Sequence, residues 1–477
     1  MHRPKPALMF VFFTLLLDVL GFGLLIPVSP RLVATVEGLN THGADNQAWE
    51  HESSIAVGLL AATYALMQFL FAPMLGSLSD RFGRRSVLLI ALLGSAIDYF
   101  VGACAPSIAS TNTHLALGVL FVTRAINGIS GATVPICGAY IADITPPEKR
   151  AVGFGIIGAA FGLGFVIGPL LGGELGDEKH TLPLIGQGNI IYPYIAAGLL
   201  TLANWLYGFF IFPESLPVER RRAFSWSKSN PVGALKWLGH HPVVEALAAS
   251  IFLANLAQLG LHVTWVLSMT SRFKWTTREV GWSLFIVGLA AAIVQGGLAR
   301  RIIPALGERA CLMAGLVIGV FAFVGYGLAG QSWMIYTIVA IASLGGVAGP
   351  AAQGIMSKSV ASNEQGLLQG ALASLSSIAG IIGPLIAAAV FRKFTTPENI
   401  DKFPGAGAPF LSGALLTALA IIPAVVIWKR MPKTVESSIP FSADLCPNCG
   451  YARKGLAPEA PCPECGVRPV LARPSGS

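Results

Sequence analysis

Runs of about twenty apolar residues recur along almost the whole chain, and no other feature limits the fold as much. A helix of that length satisfies its own backbone hydrogen bonds and is long enough to cross a bilayer. We read about twelve such runs, at roughly 8–30, 54–78, 86–105, 115–137, 151–173, 190–212, 243–268, 280–299, 309–329, 332–356, 366–391 and 409–428. Only 12% of the 477 residues are charged, about half the share usual in soluble domains. The expected fold class is therefore an all-α, multi-pass membrane protein. The 54 glycines suit helices packed closely in lipid. With the chain in a bilayer, the formal charge of +8 is not the footprint of a nucleic-acid binder, and no nucleic-acid partner is expected. The run that begins at Ala7 follows Arg3 and Lys5 and lacks a small-residue cleavage site, so it reads as a retained first helix rather than a signal peptide.

One polar stretch, 213–242, separates the sixth run from the seventh and carries Arg220, Arg221, Arg222, Lys228 and Lys236. It reads as a linker between two six-helix halves, 1–212 and 243–430. With both termini placed in the cytoplasm of a cell (inner) membrane protein, about 23 of the 32 Lys and Arg residues fall inside and about 8 outside. One outer loop departs from this bias, with Arg272, Lys274 and Arg278 close together. The halves also echo each other. Gly297-Leu298-Ala299-Arg300-Arg301 and Gly307-Glu308-Arg309 repeat the character of the loop 76–85, and Gly168-Pro169-Leu170 returns as Gly383-Pro384-Leu385. Two related bundles around a central cavity, with a substrate site near the bilayer midplane, is the architecture this implies.

The loop Gly76-Ser77-Leu78-Ser79-Asp80-Arg81-Phe82-Gly83-Arg84-Arg85 lies between two spans and must sit at a membrane surface. Gly76 and Gly83 would allow close approach and a sharp reversal, and Asp80 could accept hydrogen bonds from the arginines or from helix-end amides. Within the spans, ionisable residues stand out because a charge at mid-bilayer costs several kcal/mol by most estimates. These are Asp18, Asp98 and Arg124. A carboxylate there can take and release protons, or it can pair with the arginine to fix helix register. Arg124 reads equally as a structural partner or a substrate contact. Tyr64, Gln68, Asn255 and Gln258 could line a cavity for a small molecule, or bond across helices; His262 reads as an ordinary interhelical partner. In the fifth run, Gly164, Gly168 and Gly172 share a helix face with Pro169, which removes a backbone hydrogen bond. No nucleophile–base set or phosphate loop suggests an enzyme.

The C-terminal tail differs in composition. Cys446-Pro447-Asn448-Cys449-Gly450 and Cys462-Pro463-Glu464-Cys465-Gly466 form two knuckles with twelve residues between Cys449 and Cys462. Four thiolates paired in this way suit a tetrahedral, structural Zn2+ site. A small zinc-ribbon-like unit over 440–470 is expected, open to a cytoplasmic partner. Disulfides would not persist on that side of the membrane.

The pattern G-x-x-x-D-R-x-G-R-R at 76–85 resembles the loop signature of the major facilitator superfamily, where it joins the second and third helices. The fifth-run pattern G-x-x-x-G-P-x-x-G-G is similar to that of superfamily exporters that exchange substrate for protons. Leu17-Asp18-Val19-Leu20-Gly21-Phe22-Gly23, Tyr64-Ala65-Leu66-Met67-Gln68, Ile97-Asp98-Tyr99 and Tyr140-Ile141-Ala142-Asp143-Ile144-Thr145 extend the resemblance to the tetracycline-resistance exporters, over roughly residues 7–430. The resemblance implies that Asp18, Asp98 and Arg124 belong to the site or its proton coupling. Asp80 and Arg84, with Gly76, Arg81, Gly83 and Arg85 around them, would form a cytoplasmic gate. It implies export of a tetracycline–divalent metal complex against protons by alternating access. One departure is Gly319, which stands in the ninth helix where those exporters carry an acid. The chain is expected to act as a monomer. Export of an endogenous metabolite or siderophore is the alternative, and a non-transporting receptor working through the zinc tail is a second.

Overall fold

A computed structural model of the chain describes residues 4–39, 48–131, 133–145, 150–183, 185–221, 231–361, 364–400 and 402–430. Among them, twelve helices are long and apolar enough to cross a membrane. Spans 1 to 6 are Leu8–Leu25, Trp49–Phe82, Arg84–Ala109, Thr113–Ile144, Gly155–Gly176 and Tyr192–Ile211. Spans 7 to 12 are Pro242–Phe273, Thr277–Leu306, Glu308–Leu328, Ser332–Lys358, Gln365–Phe394 and Gly405–Trp428. Cys446, Cys449, Cys462 and Cys465, along with Arg222 and Lys228 of the linker, lie outside the described residues.

The boundaries follow local chemistry. Asn112 caps span 4 by accepting from the Leu115 amide at 3.0 Å. Thr276 and Glu279 close a capping box at the start of span 8. The first apolar run proves shorter than its composition suggests: its helix ends at Leu25, and a separate short helix, Ser29–Val36, follows. The loop 76–85 is more helical than expected. Span 2 continues to Phe82, and the only break is Gly83, at φ 100° and ψ 149°. Gly307, between spans 8 and 9, takes nearly the same conformation, φ 83° and ψ 152°. An L-residue with a side chain rarely adopts either geometry, so the two glycines mark one reversal used twice.

Two faces serve as reference, the one carrying Gly83 and Gly307, and the opposite one carrying Lys274. Span 1 packs on spans 5 and 6, and span 3 on spans 4 and 6. Span 7 packs on span 11, and span 9 on span 10. The main pairs that join the first six spans to the last six are 5 with 8 and 2 with 11, and span 7 also touches span 2. The two main pairs are tight toward the Lys274 face. A Cβ on Gly173 would stand 2.9 Å from the Gly281 Cα, and one on Gly58 would stand 2.7 Å from the Ala388 Cβ. Toward the Gly83 face, Gly155 and Gly158 of span 5, Gly297 of span 8 and Gly76 of span 2 meet nothing within 4 Å. The same helix pairs are thus fused at one face and apart at the other. Ala34, Trp49, Leu267 and Phe391 complete the closed end as an apolar plug.

The three cations that break the charge bias are each accounted for at that closed face. Arg272 donates to the carbonyls of Tyr326 at 2.6 Å, Gly327 at 3.2 Å and Ala329, and so caps the end of span 9. Arg278 pairs with Glu174 at 2.9 Å, and Lys274 ends span 7 in the left-handed conformation near Glu50. Among its described residues the linker carries a short α-helix, Pro231–Leu238, which rests against spans 11 and 2. Trp237 fixes it by donating from Nε1 to Glu364 at 3.2 Å. That bond, ahead of smaller contributions from the Ala361 amide and His241, holds the Glu364 carboxyl below its ordinary range.

Candidate transport site

Spans 3 and 4 bring two of the three interior charges together. Asp98 of span 3 is fully buried, and its Oδ2 accepts from Arg124 Nη2 at 2.7 Å and Asn127 Nδ2 at 2.5 Å. Arg124 and Asn127 are one turn of span 4 apart, so they reach the same carboxylate. Both donors use one oxygen, and Oδ1 is left without a hydrogen bond. A buried ion pair of this kind survives only with good geometry, because each charge loses several kcal/mol of hydration.

Asp18 stands apart. It is half-buried in span 1, beside Thr133 of span 4, and makes no ion pair among the described residues. The structure therefore unites Asp98 with Arg124 but leaves Asp18 as a separate carboxyl. Above it, Phe22 stacks on Tyr64 with ring centroids 6.2 Å apart and lies 6.4 Å from Phe165 of span 5. Gln68 donates to the Gly131 carbonyl at 3.2 Å, tying span 2 to span 4, and approaches the Tyr64 hydroxyl at 3.5 Å. In the second half, Asn255 donates to Ser376 of span 11 at 3.1 Å. Gln258 bonds within its own helix to His262 at 3.2 Å. Gln68 and Asn255 thus act as bonds between helices, and Gln258 does not.

The glycines of span 5 serve span 1. A Cβ on Gly164 would meet Val19 at 2.9 Å, and on Gly168 the Gly23 Cα at 2.8 Å. On Gly172 it would overlap the Leu24 carbonyl. The helix continues past Pro169, which itself lies against Gly23. Only residues without side chains allow these backbones to approach so closely.

At the Gly83 face, Arg84 is the hub. It pairs with Asp80 at 2.6 Å and Asp143 at 3.1 Å and donates to Ser79 at 2.6 Å. Asp80 therefore takes the arginine, as expected, but not the helix-end amides. Glu214 takes those: the Arg84 amide donates to it at 2.9 Å and the Arg85 amide at 3.2 Å. Arg85 also reaches the Phe209 carbonyl at 2.5 Å, while Arg81 lies over the Phe82 ring. Gly76 makes no close approach, which corrects the expectation for it; its carbonyl accepts from Ser79 at 2.7 Å.

The family model described as Major Facilitator Superfamily matches residues 11–384. The chain belongs to the major facilitator superfamily. It is 36% identical over 440 residues to the tetracycline resistance protein, class C, of Escherichia coli, covering 91% of this chain and 100% of that protein. It is 30% identical to major facilitator superfamily domain-containing protein 10 of Homo sapiens, over 82% of this chain and 89% of that one. The crystal structure of the human organic anion transporter MFSD10 superposes with a TM-score of 0.63 and 28% identity, covering 89% of this chain and 100% of that chain. Membership in the superfamily makes the protein a multi-pass membrane transporter rather than an enzyme.

Several residues around this candidate site escape a reading of the sequence. Glu214 follows span 6 directly, in Phe-Pro-Glu-Ser, and an acid just past an apolar run is the one signal it offers. Asn127 could be found only by its one-turn spacing from Arg124. Phe22 and Phe165 look like lipid-facing aromatics until the fold sets them against each other. Gly319 faces Thr417 of span 12, 3.3 Å from where its Cβ would stand. Among the described residues, no group of three or more His, Cys, Asp or Glu is placed to hold a metal ion.

Proposed function

We propose that the protein is a proton-coupled exporter of a drug-like small molecule, with tetracycline as first candidate. The similarity to tetracycline resistance proteins over nine-tenths of the chain carries this reading. The buried Asp98–Arg124 pair, with one carboxylate oxygen unused, supports it on chemical grounds. In the cycle we envisage, two six-helix bundles, 1–212 and 243–430, rock about a midplane site. Protons replace substrate at the acidic residues, and the Asp80–Arg84 cluster works as the gate. The charge bias argues for both termini in the cytoplasm.

Organic anion transport is a second reading, favoured by the similarity to the human organic anion transporter MFSD10 and by the interior cation Arg124. Export of an endogenous metabolite or siderophore fits the same geometry. The tail cysteines Cys446, Cys449, Cys462 and Cys465 are proposed to hold a structural Zn2+, with a scaffold role as the remaining alternative.

The test is tetracycline uptake, with Mg2+, into inside-out vesicles under a proton gradient. Accumulation that collapses with an uncoupler is the expected result. No tetracycline uptake, with proton movement triggered by an organic anion, would keep the antiporter and discard the drug. Silence toward both would overturn the exporter reading.

A further inference from the structure

We propose that His262 is the proton-carrying group of the second half, and that Phe165 holds its charged form from across the cavity. The proposal rests on the exporter reading and assigns it a residue. His262 is the one Asp, Glu, His, Lys or Arg of spans 7–12 that lies far from a helix end, among the described residues. Every other such side chain in those spans sits within about two turns of an end, where water and headgroups reach it. An ionisable side chain at this depth is expensive unless it has a function.

The surroundings of His262 differ from those of a structural histidine. The residue keeps accessible surface although its ring meets Gln258 and Phe165. Its polar contact is Gln258, with Nε2 of each 3.2 Å apart. Gln258 can donate its amide hydrogen to a neutral imidazole, or turn its carbonyl oxygen to accept from a protonated one, so the pair serves both states. On the other side, the Phe165 ring of span 5 lies 6.4 Å away at 41°. That is close to the reach of a cation–π contact, and a shift of well under an ångström would bring it inside.

Span 7 packs on spans 2, 8, 10 and 11, on the start of span 12 and on the linker helix, and span 5 meets it through Phe165. Among the described residues, apart from the Tyr64 hydroxyl, the ionisable residues these present lie toward their ends: Glu50, His51, Glu52, Asp80 and Arg81 in span 2, Glu174 in span 5, Arg278, Glu279, Arg300 and Arg301 in span 8, Lys358 in span 10, and Arg392 and Lys393 in span 11. Lys236 of the linker helix belongs to the Gly83 face. Asp18, in span 1, is the other unpaired titratable group at mid-depth. The step is a simple one. A ring nitrogen lone pair of neutral His262 takes a proton from cavity water, and the same nitrogen returns it to water once the opposite face opens. Because Phe165 belongs to span 5, protonation also draws the two halves together at the cavity.

The experiment compares wild type with His262→Gln, which keeps a hydrogen bond to Gln258 but cannot titrate. Tetracycline–Mg2+ is the probe. Gradient-driven accumulation in vesicles should fall at least tenfold and lose the pH dependence seen in the wild type. Gradient-free exchange of labelled for unlabelled tetracycline should stay within about twofold, since binding needs no net proton step. A wild-type pH profile in the variant would overturn the proposal. So would a parallel loss of exchange, which would make His262 a substrate contact. Imidazole nuclear magnetic resonance of the purified full chain separates this outcome from failure of the exporter reading. A titrating imidazole signal present in wild type and missing in His262→Gln supports the proposal even if tetracycline is not the substrate. The absence of such a signal overturns it.

Discussion

The two halves solve the same packing problem with different polar content. Among the first six spans, a carboxylate, a guanidinium and an amide meet in the protein interior, while a second carboxyl, Asp18, lies beside Thr133 and makes no ion pair among the described residues. In the second half, amides and hydroxyls do the bonding between helices, as in Asn255–Ser376, and the lone ionisable group at depth is His262. The reversal loops repeat the contrast. Gly83 and Gly307 share a backbone conformation, yet Arg84 joins two carboxylates whereas Glu308, among the described residues, pairs with the exposed Lys358 at 2.9 Å. Shared backbone geometry therefore does not imply shared electrostatics. Charge is concentrated in one half, and that half should be the more sensitive to substitution.

The largest effect should come from Asp98→Asn. It leaves Arg124 buried without its counter-charge, a change worth about 3–5 kcal/mol in comparable sites. Export should fall to background while the protein is still recovered from the membrane. Export at the wild-type rate would remove the basis for setting the halves apart.

A smaller, paired effect tests the loops. Glu214→Gln removes the negative charge from the N-terminus of span 3, where such charges contribute about 0.3–1 kcal/mol and up to ~2 when partly buried. Glu308→Gln breaks a pair whose lysine is 74% exposed, and such surface pairs contribute about 0–1 kcal/mol. Thermal melting in detergent should fall clearly for the first and little for the second. Equal losses would mean that the two loops do equivalent work.

The smallest effects have opposite signs on pH. Glu37 lies outside the spans, just past the short helix Ser29–Val36, and burial pushes its carboxyl up to about 7, helped by Glu52 and opposed by Arg392. A raised carboxyl means that the folded state holds the proton more tightly. Its contribution is therefore full below about 4.5 and is lost as pH rises through about 7. Glu37→Gln should raise the melting temperature at pH 8, by about 1 kcal/mol after allowing for solvent screening, and leave it unchanged at pH 4. Glu364 behaves in reverse. Its depressed carboxyl stabilises above the ordinary range and loses that contribution as pH falls, so Glu364→Gln should lower the melting temperature at pH 8. Stability profiles measured from pH 4 to 8 would show whether the two curves cross.

Much of this was legible in the sequence, for a physical reason. Membrane crossing depends on segment composition and length, so the twelve runs match the twelve helices closely. A charge is conspicuous in an apolar helix, so Asp18, Asp98 and Arg124 could be named without coordinates. Gly83 could be marked as a reversal because only glycine accepts its φ readily. The remainder depended on contacts between residues far apart in the chain. Glu214 reaches the Arg84 amide across 130 positions, and Arg272 caps span 9 from the end of span 7. Phe165 meets His262 only because span 5 crosses to the second half. No local pattern encodes which oxygen of Asp98 is occupied, or that Asp18 is left out of the pair. Helix length and polarity are properties of a segment, whereas partners are properties of packing, and only the tertiary structure decided them.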